Sequence, residues 1–125
     1  MANPNIVNVT TIYGNSSQTS LTTTSATSLV SNAAASGKVF KINSIVVANV
    51  DGTSAADITV NVYSAAALGG TAFPIASTIS VPADATLIVT DKTTSFYLLE
   101  NQSIGATAGS ASDLVVTASW EEINS

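Results

Sequence analysis

At 125 residues, with a net charge of −5 and neither cysteine nor histidine, the chain has room for one hydrophobic core and lacks the residue types on which many enzymes and most zinc sites depend. Charged residues are 9% of the chain, against about 25% in an ordinary soluble domain. Its only basic residues, Lys38, Lys41 and Lys92, are too few to neutralise a phosphate backbone, so no nucleic acid partner is expected, and no apolar run reaches the ~20 residues of a membrane-spanning helix, so no membrane partner is expected either.

In chain order, the opening Met1-Ala2-Asn3-Pro4-Asn5 has no basic stretch followed by an apolar run, which predicts a protein that acts without standard export. Residues 1–19 read as an extended arm, with a β-prone patch over residues 6–13 and a turn at Gly14-Asn15-Ser16-Ser17; residues 20–125 form the folded domain. Residues 20–31 are rich in Thr and Ser and give at most one edge strand. From Lys38 the period of two is clear: Phe40, Ile42, Ser44, Val46 and Ala48 fall on one face, with Val39, Lys41, Asn43, Ile45, Val47 and Asn49 on the other.

A turn at Asp51-Gly52-Thr53-Ser54 leads to a half-buried strand carrying Ile58, Val60 and Val62. Residues 65–71, ended by Gly69-Gly70, read as a loop. Phe73, Ile75, Ser77, Ile79 and Val81 alternate up to a turn at Pro82-Ala83-Asp84-Ala85. Further strands follow at residues 86–90, 95–99 and 102–108. After the turn at Gly109-Ser110-Ala111-Ser112-Asp113, the last strand carries Leu114, Val116, Ala118 and Trp120 on one face. Trp120 is expected in the core or at its rim. The pattern predicts an all-β, single-domain antiparallel β-sandwich, jelly-roll or Ig-like, of about eight strands with an extended N-terminal arm.

Without His or Cys, the triad-type nucleophiles and imidazole acid–base chemistry are absent. The remaining options are thin. No nucleophile elbow accompanies the three lysines, and Asp84, Asp91, Glu100, Glu121 and Glu122 each suit a turn, a strand end or a solvated face better than a glycosidase pair. No enzyme activity and no cofactor are expected. Calcium at Asp51-Gly52-Thr53-Ser54-Ala55-Ala56-Asp57 is the one metal option, set against an ordinary Asp-Gly turn.

Lys38-Val39-Phe40-Lys41-Ile42-Asn43-Ser44-Ile45-Val46-Val47-Ala48-Asn49-Val50-Asp51-Gly52 resembles the opening of a small β-sandwich module of virion structural proteins in tailed bacteriophages, including those that infect cyanobacteria. Ile75-Ala76-Ser77-Thr78-Ile79-Ser80-Val81-Pro82-Ala83-Asp84-Ala85-Thr86-Leu87 is similar to its middle. Phe96-Tyr97-Leu98-Leu99-Glu100, Ser103-Ile104-Gly105-Ala106-Thr107-Ala108 and Leu114-Val115-Val116-Thr117-Ala118-Ser119-Trp120-Glu121-Glu122-Ile123 are similar to its end. The likeness runs over residues 21–123 and departs from the module at residues 65–72 and at Asn101-Gln102-Ser103.

The resemblance implies a virion protein made in the host cytoplasm, in a capsid-decoration, neck or tail role. As a decoration (cement) protein, the chain would act as a homo-oligomer, a trimer being one form, on the major capsid protein or another virion protein. The low charge and the arm suggest strand addition onto a neighbouring chain, with Ile6, Val7, Val9, Ile12 and Tyr13 as contacts. The alternative, a tail, neck or fibre module that binds the host surface, would use Tyr63, Tyr97 and the Leu68-Gly69-Gly70 loop.

Overall fold

In a computed structural model, which describes residues 4–124, the alternating segments fold into nine strands among the described residues: β1 (Thr11–Ser20), β2 (Thr27–Asn32), β3 (Lys38–Asn49), β4 (Ala56–Ala65), β5 (Gly69–Val81), β6 (Thr86–Thr90), β7 (Phe96–Leu98), β8 (Gln102–Ala108) and β9 (Leu114–Asn124). A single 3₁₀ turn, Lys92–Thr94, is capped by Asp91. The strands form two antiparallel sheets. One runs β1-β9-β3-β6, with β7 also paired to β3, and the other runs β2-β8-β4-β5. The chain is thus an all-β, single-domain antiparallel sandwich. Its core is aliphatic, with Leu21, Ile42, Ile45, Ile58, Leu98, Ile104 and Leu114 fully buried between the sheets.

Three local expectations change. The arm expected over residues 1–19 divides, because Thr11–Ser20 is itself the ninth strand and pairs with β9 through ten residues, straight through the turn expected at Gly14-Asn15-Ser16-Ser17. The domain therefore starts before residue 20. This strand adds no residue to the core cluster, so main-chain hydrogen bonding holds it and the side chains carry no period-two signal.

In β3, the register against β9 slips between Ile42 and Ser44. The extra residue, Asn43, reverses the alternation beyond it. Phe40, Ile42, Ile45, Val47 and Asn49 are buried, whereas Val46 and Ala48 are half-exposed, so the face expected to run through Phe40, Ile42, Ser44, Val46 and Ala48 is split at the bulge. In β5 the even alternation is likewise interrupted: Ala76 lies opposite Val60, and Ile79 opposite Ile58, across register shifts.

The loop expected at residues 65–71 is instead the tight tip of the β4–β5 hairpin. Gly69 N–H donates to Ala66 O at 3.1 Å, and Ala67 and Leu68 both take positive φ, 54° and 59°. Such turns favour Asn-Gly, so Ala-Leu here is strained. The strain is offset by three side chains that accept the tip's own N–H groups: Asn101 Oδ1 from Ala66, Ser31 Oγ from Ala67 and Ser103 Oγ from Leu68, at 2.9–3.1 Å. Ala67 is exposed. Ala67→Asn should therefore raise stability by about 0.5–1 kcal/mol, read as a higher midpoint in urea unfolding.

Two buried asparagines tie the sheets together near opposite ends of β3. Asn32, at the end of β2, donates through Nδ2 to Lys38 O (2.9 Å) and Leu98 O (3.3 Å), and its Oδ1 accepts from Ser36 Oγ at 2.6 Å. Asn49, at the end of β3, donates to Val81 O (2.9 Å) and Ser54 O (3.0 Å), and accepts from Asp51 N at 2.9 Å.

Candidate assembly surfaces

A sandwich of two open sheets leaves four edges, here β1 and, on the far side of β3, β6 with β7 in one sheet, and β2 and β5 in the other. An edge strand exposes unpaired main-chain N–H and C=O groups, and soluble monomers blunt such edges with charge, above all lysine. None of these five edge strands contains a charged residue. The three lysines and eight acidic residues all lie on β3, β4 and β9 or in the connections.

The edges also carry apolar surface. On β5, Phe73 and Ile79 sit opposite Val62 and Ile58, on the core side of their sheet, yet are 57% and 40% exposed. On β6, Leu87 and Val89 pack partly against the core while Ile88 is exposed. The β5–β6 side of the sandwich is therefore an apolar seam that the chain does not close. On the β1 side, Asn15, Ser17 and Thr19 are half-buried, and Trp120 stacks on Phe40 at 6.4 Å between ring centres. Trp120 thus sits at the core rim, as expected. Ser17 Oγ and Trp120 Nε1 are buried without a hydrogen-bond partner.

The residues expected to make contacts separate into two groups. Ile6, Val7 and Val9 precede β1, with Ile6 and Val7 exposed and Val9 half-buried. Ile12 and Tyr13 lie within β1, opposite Ile123 and Glu122 of the same chain, and are exposed. Of the residues expected to meet a host surface, Leu68 and Tyr63 come together over Gly105, where a Cβ would lie 2.7 Å from Leu68 Cδ2 and 3.1 Å from Tyr63 Cε2. Tyr97 is elsewhere, on β7 opposite Lys41 in the other sheet. The three do not form one site.

The Asp51–Asp57 segment is organised by its own hydrogen bonds. Asp51 Oδ1 accepts from Thr53 N and Thr53 Oγ1, both at 2.9 Å, and these bonds hold its carboxyl below the ordinary 3.8. Asp57 is in β4, opposite Ser80. Asp91 is likewise held low, first by the Thr93 hydroxyl and then by the Thr93 N–H. Among the described residues no group of three or more Asp or Glu side chains is placed to hold a metal ion, and no cavity is found.

No family model matches the chain, and no curated protein matches it. Among solved structures, the chain is similar to one described under "Bacillus endospore appendages form a novel family of disulfide-linked pili". The likeness has a TM-score of 0.54 and 16% identity, and covers 92% of this chain and 90% of that one. At that identity the likeness establishes the sandwich fold alone.

Proposed function

We propose that the chain is a structural subunit of a virion, a capsid decoration protein that stabilises the shell through contacts with its own copies and with the major capsid protein or another virion protein. In this reading it catalyses nothing and takes no cofactor. The observation that carries the assembly role is the absence of charge from all five edge strands. A monomer that must avoid edge-to-edge pairing has every reason to place its charges there, and this chain keeps them away. The virion setting rests on the resemblance carried by residues 38–52, 75–87 and 114–123.

A second reading, a repeating tail, neck or fibre subunit, is favoured by the likeness in fold to a protein described as forming pili. Those pili are described as disulfide-linked, whereas this chain contains no cysteine. Any filament it built would depend on contacts other than disulfides.

The test is to add purified chain to capsids that lack it and count the copies bound at saturation. Hundreds of copies over the shell are the expected outcome. A few to tens, confined to a vertex or tail, would favour the second reading, and no saturable binding would refute both.

A further inference from the structure

The four edges are not equally open. β5 is interrupted by Pro74, which has no N–H to offer, by register shifts, and by Thr78 at φ 50°. β2 has six residues and a register shift at Ser28/Val30, while the edge beside β3 is divided between β6, with five residues and a shift between its pairs at Ile45 and Val46, and β7, with three residues. Shortness, proline and bulges are the usual means of closing an edge to other chains. β1 has none of them. It runs ten residues, pairs with β9 without a register shift, and contains no proline and no charge.

The surroundings of β1 also favour a neighbour identical to itself. The acidic residues nearest this edge are on β9, one strand inward: Glu121 opposite Gly14 and Glu122 opposite Tyr13. Glu122 is paired with Lys38 Nζ at 3.4 Å, and Glu121 accepts from Asn43 Nδ2 at 3.3 Å. Two β1 edges can therefore approach without setting bare carboxylates against each other. The exposed side chains along β1 carry no charge: the large ones, Ile12 and Tyr13, are at its start, and Gly14, Ser16, Gln18 and Ser20 follow. An antiparallel pair of two such strands about a two-fold axis is self-complementary by construction.

We propose that β1 of one copy pairs antiparallel with β1 of a second copy, so that β1-containing sheets of two subunits become one continuous sheet. This deepens the assembly role proposed above by naming the partner and the edge. One added strand pair is small beside the ~1,200–2,000 Å² of a stable interface. The pairing is therefore weak between free subunits and strong between subunits already held side by side.

The absence of native cysteine makes a single-cysteine scan clean. Gly14→Cys, Ser16→Cys and Gln18→Cys are exposed positions on β1, and a Cβ at Gly14 meets nothing within 4 Å; Thr23→Cys, exposed beyond the strand, is the control. Under mild oxidation of concentrated protein, disulfide dimers should peak at the β1 position nearest the two-fold axis, at least about fivefold above Thr23→Cys. The double variant Ser16→Lys/Gln18→Lys should weaken self-association in sedimentation velocity by about tenfold or more, with an unchanged circular dichroism spectrum and unfolding midpoint. Uniformly low cross-linking along β1, or association unaffected by the two lysines, would overturn the inference. In either case, continued binding of the wild-type chain to capsids would leave the assembly role standing. A wild-type chain that neither self-associates nor binds capsids would remove both.

Discussion

Ile45→Lys should leave the protein unfolded, while the same change at the next residue, Val46→Lys, should cost no more than about 1 kcal/mol, within the range of ordinary surface substitutions. Ile45 is fully buried between the sheets, and a lysine there must bring an unpaired ammonium into an aliphatic core or lose its charge to avoid doing so. Either route costs several kcal/mol, comparable to the total stability of a small domain. Val46 is half-exposed and can direct a lysine head into water. The pair tests the bulge at Asn43, because uninterrupted alternation from Phe40 would put Val46 inside and Ile45 outside and so reverse the outcome. Far-UV circular dichroism and urea titration of the two variants decide it.

The second large effect is expected at the asparagine clamps. Asn49→Leu keeps roughly the same volume but removes the donor that satisfies Val81 O and Ser54 O, and the acceptor used by Asp51 N. Each buried group left without a partner costs about 1–3 kcal/mol, so a loss of about 3 kcal/mol is expected, on the order of 10 °C in Tm for a domain of this size. Asn32→Leu orphans Lys38 O, Leu98 O and Ser36 Oγ and should cost a similar amount. The two networks share no residue, so the double variant should show near-additive losses. A loss of less than about 0.5 kcal/mol at either position, measured by chemical denaturation, would mean that the clamp does not hold the sheets together.

Where a strand has no bulge of its own, the sequence was enough to place it. Residues 102–108 coincide with β8, and Leu114, Val116 and Ala118 point into the core as their spacing requires. What escaped has two physical causes. A bulge such as Asn43 is set by register against a partner strand, and that partner, β9, lies some seventy residues further along the chain, where no local pattern can report it. A strand that adds no apolar side chain to the core, such as β1, needs no hydrophobic period and so looks like an arm. The hairpin tip was hidden for a related reason: Ala67-Leu68 is poor turn chemistry, made workable by Ser31, Asn101 and Ser103 from strands and connections remote in sequence.

The candidate surface was half legible. The shortage of charge was evident from composition, and Ile12 and Tyr13, expected as contacts, are exposed. That the scarce charges avoid every sheet edge could not be read in advance, since which strands are edges is a property of topology. Gly105, covered by Leu68 and Tyr63, was likewise invisible without knowing that the hairpin tip folds back over β8.

The pairing of β9 between β1 and β3 also sets the order of events during synthesis. Both of its partners leave the ribosome well before it, and the contacts Thr11↔Asn124 and Lys38↔Asn124 join the earliest and latest strands. Such non-local topology folds slowly, in milliseconds to seconds, and the sheet bearing β1 cannot close until translation has passed residue 124. A nascent chain therefore has no finished β1 ladder until β9 has left the ribosome.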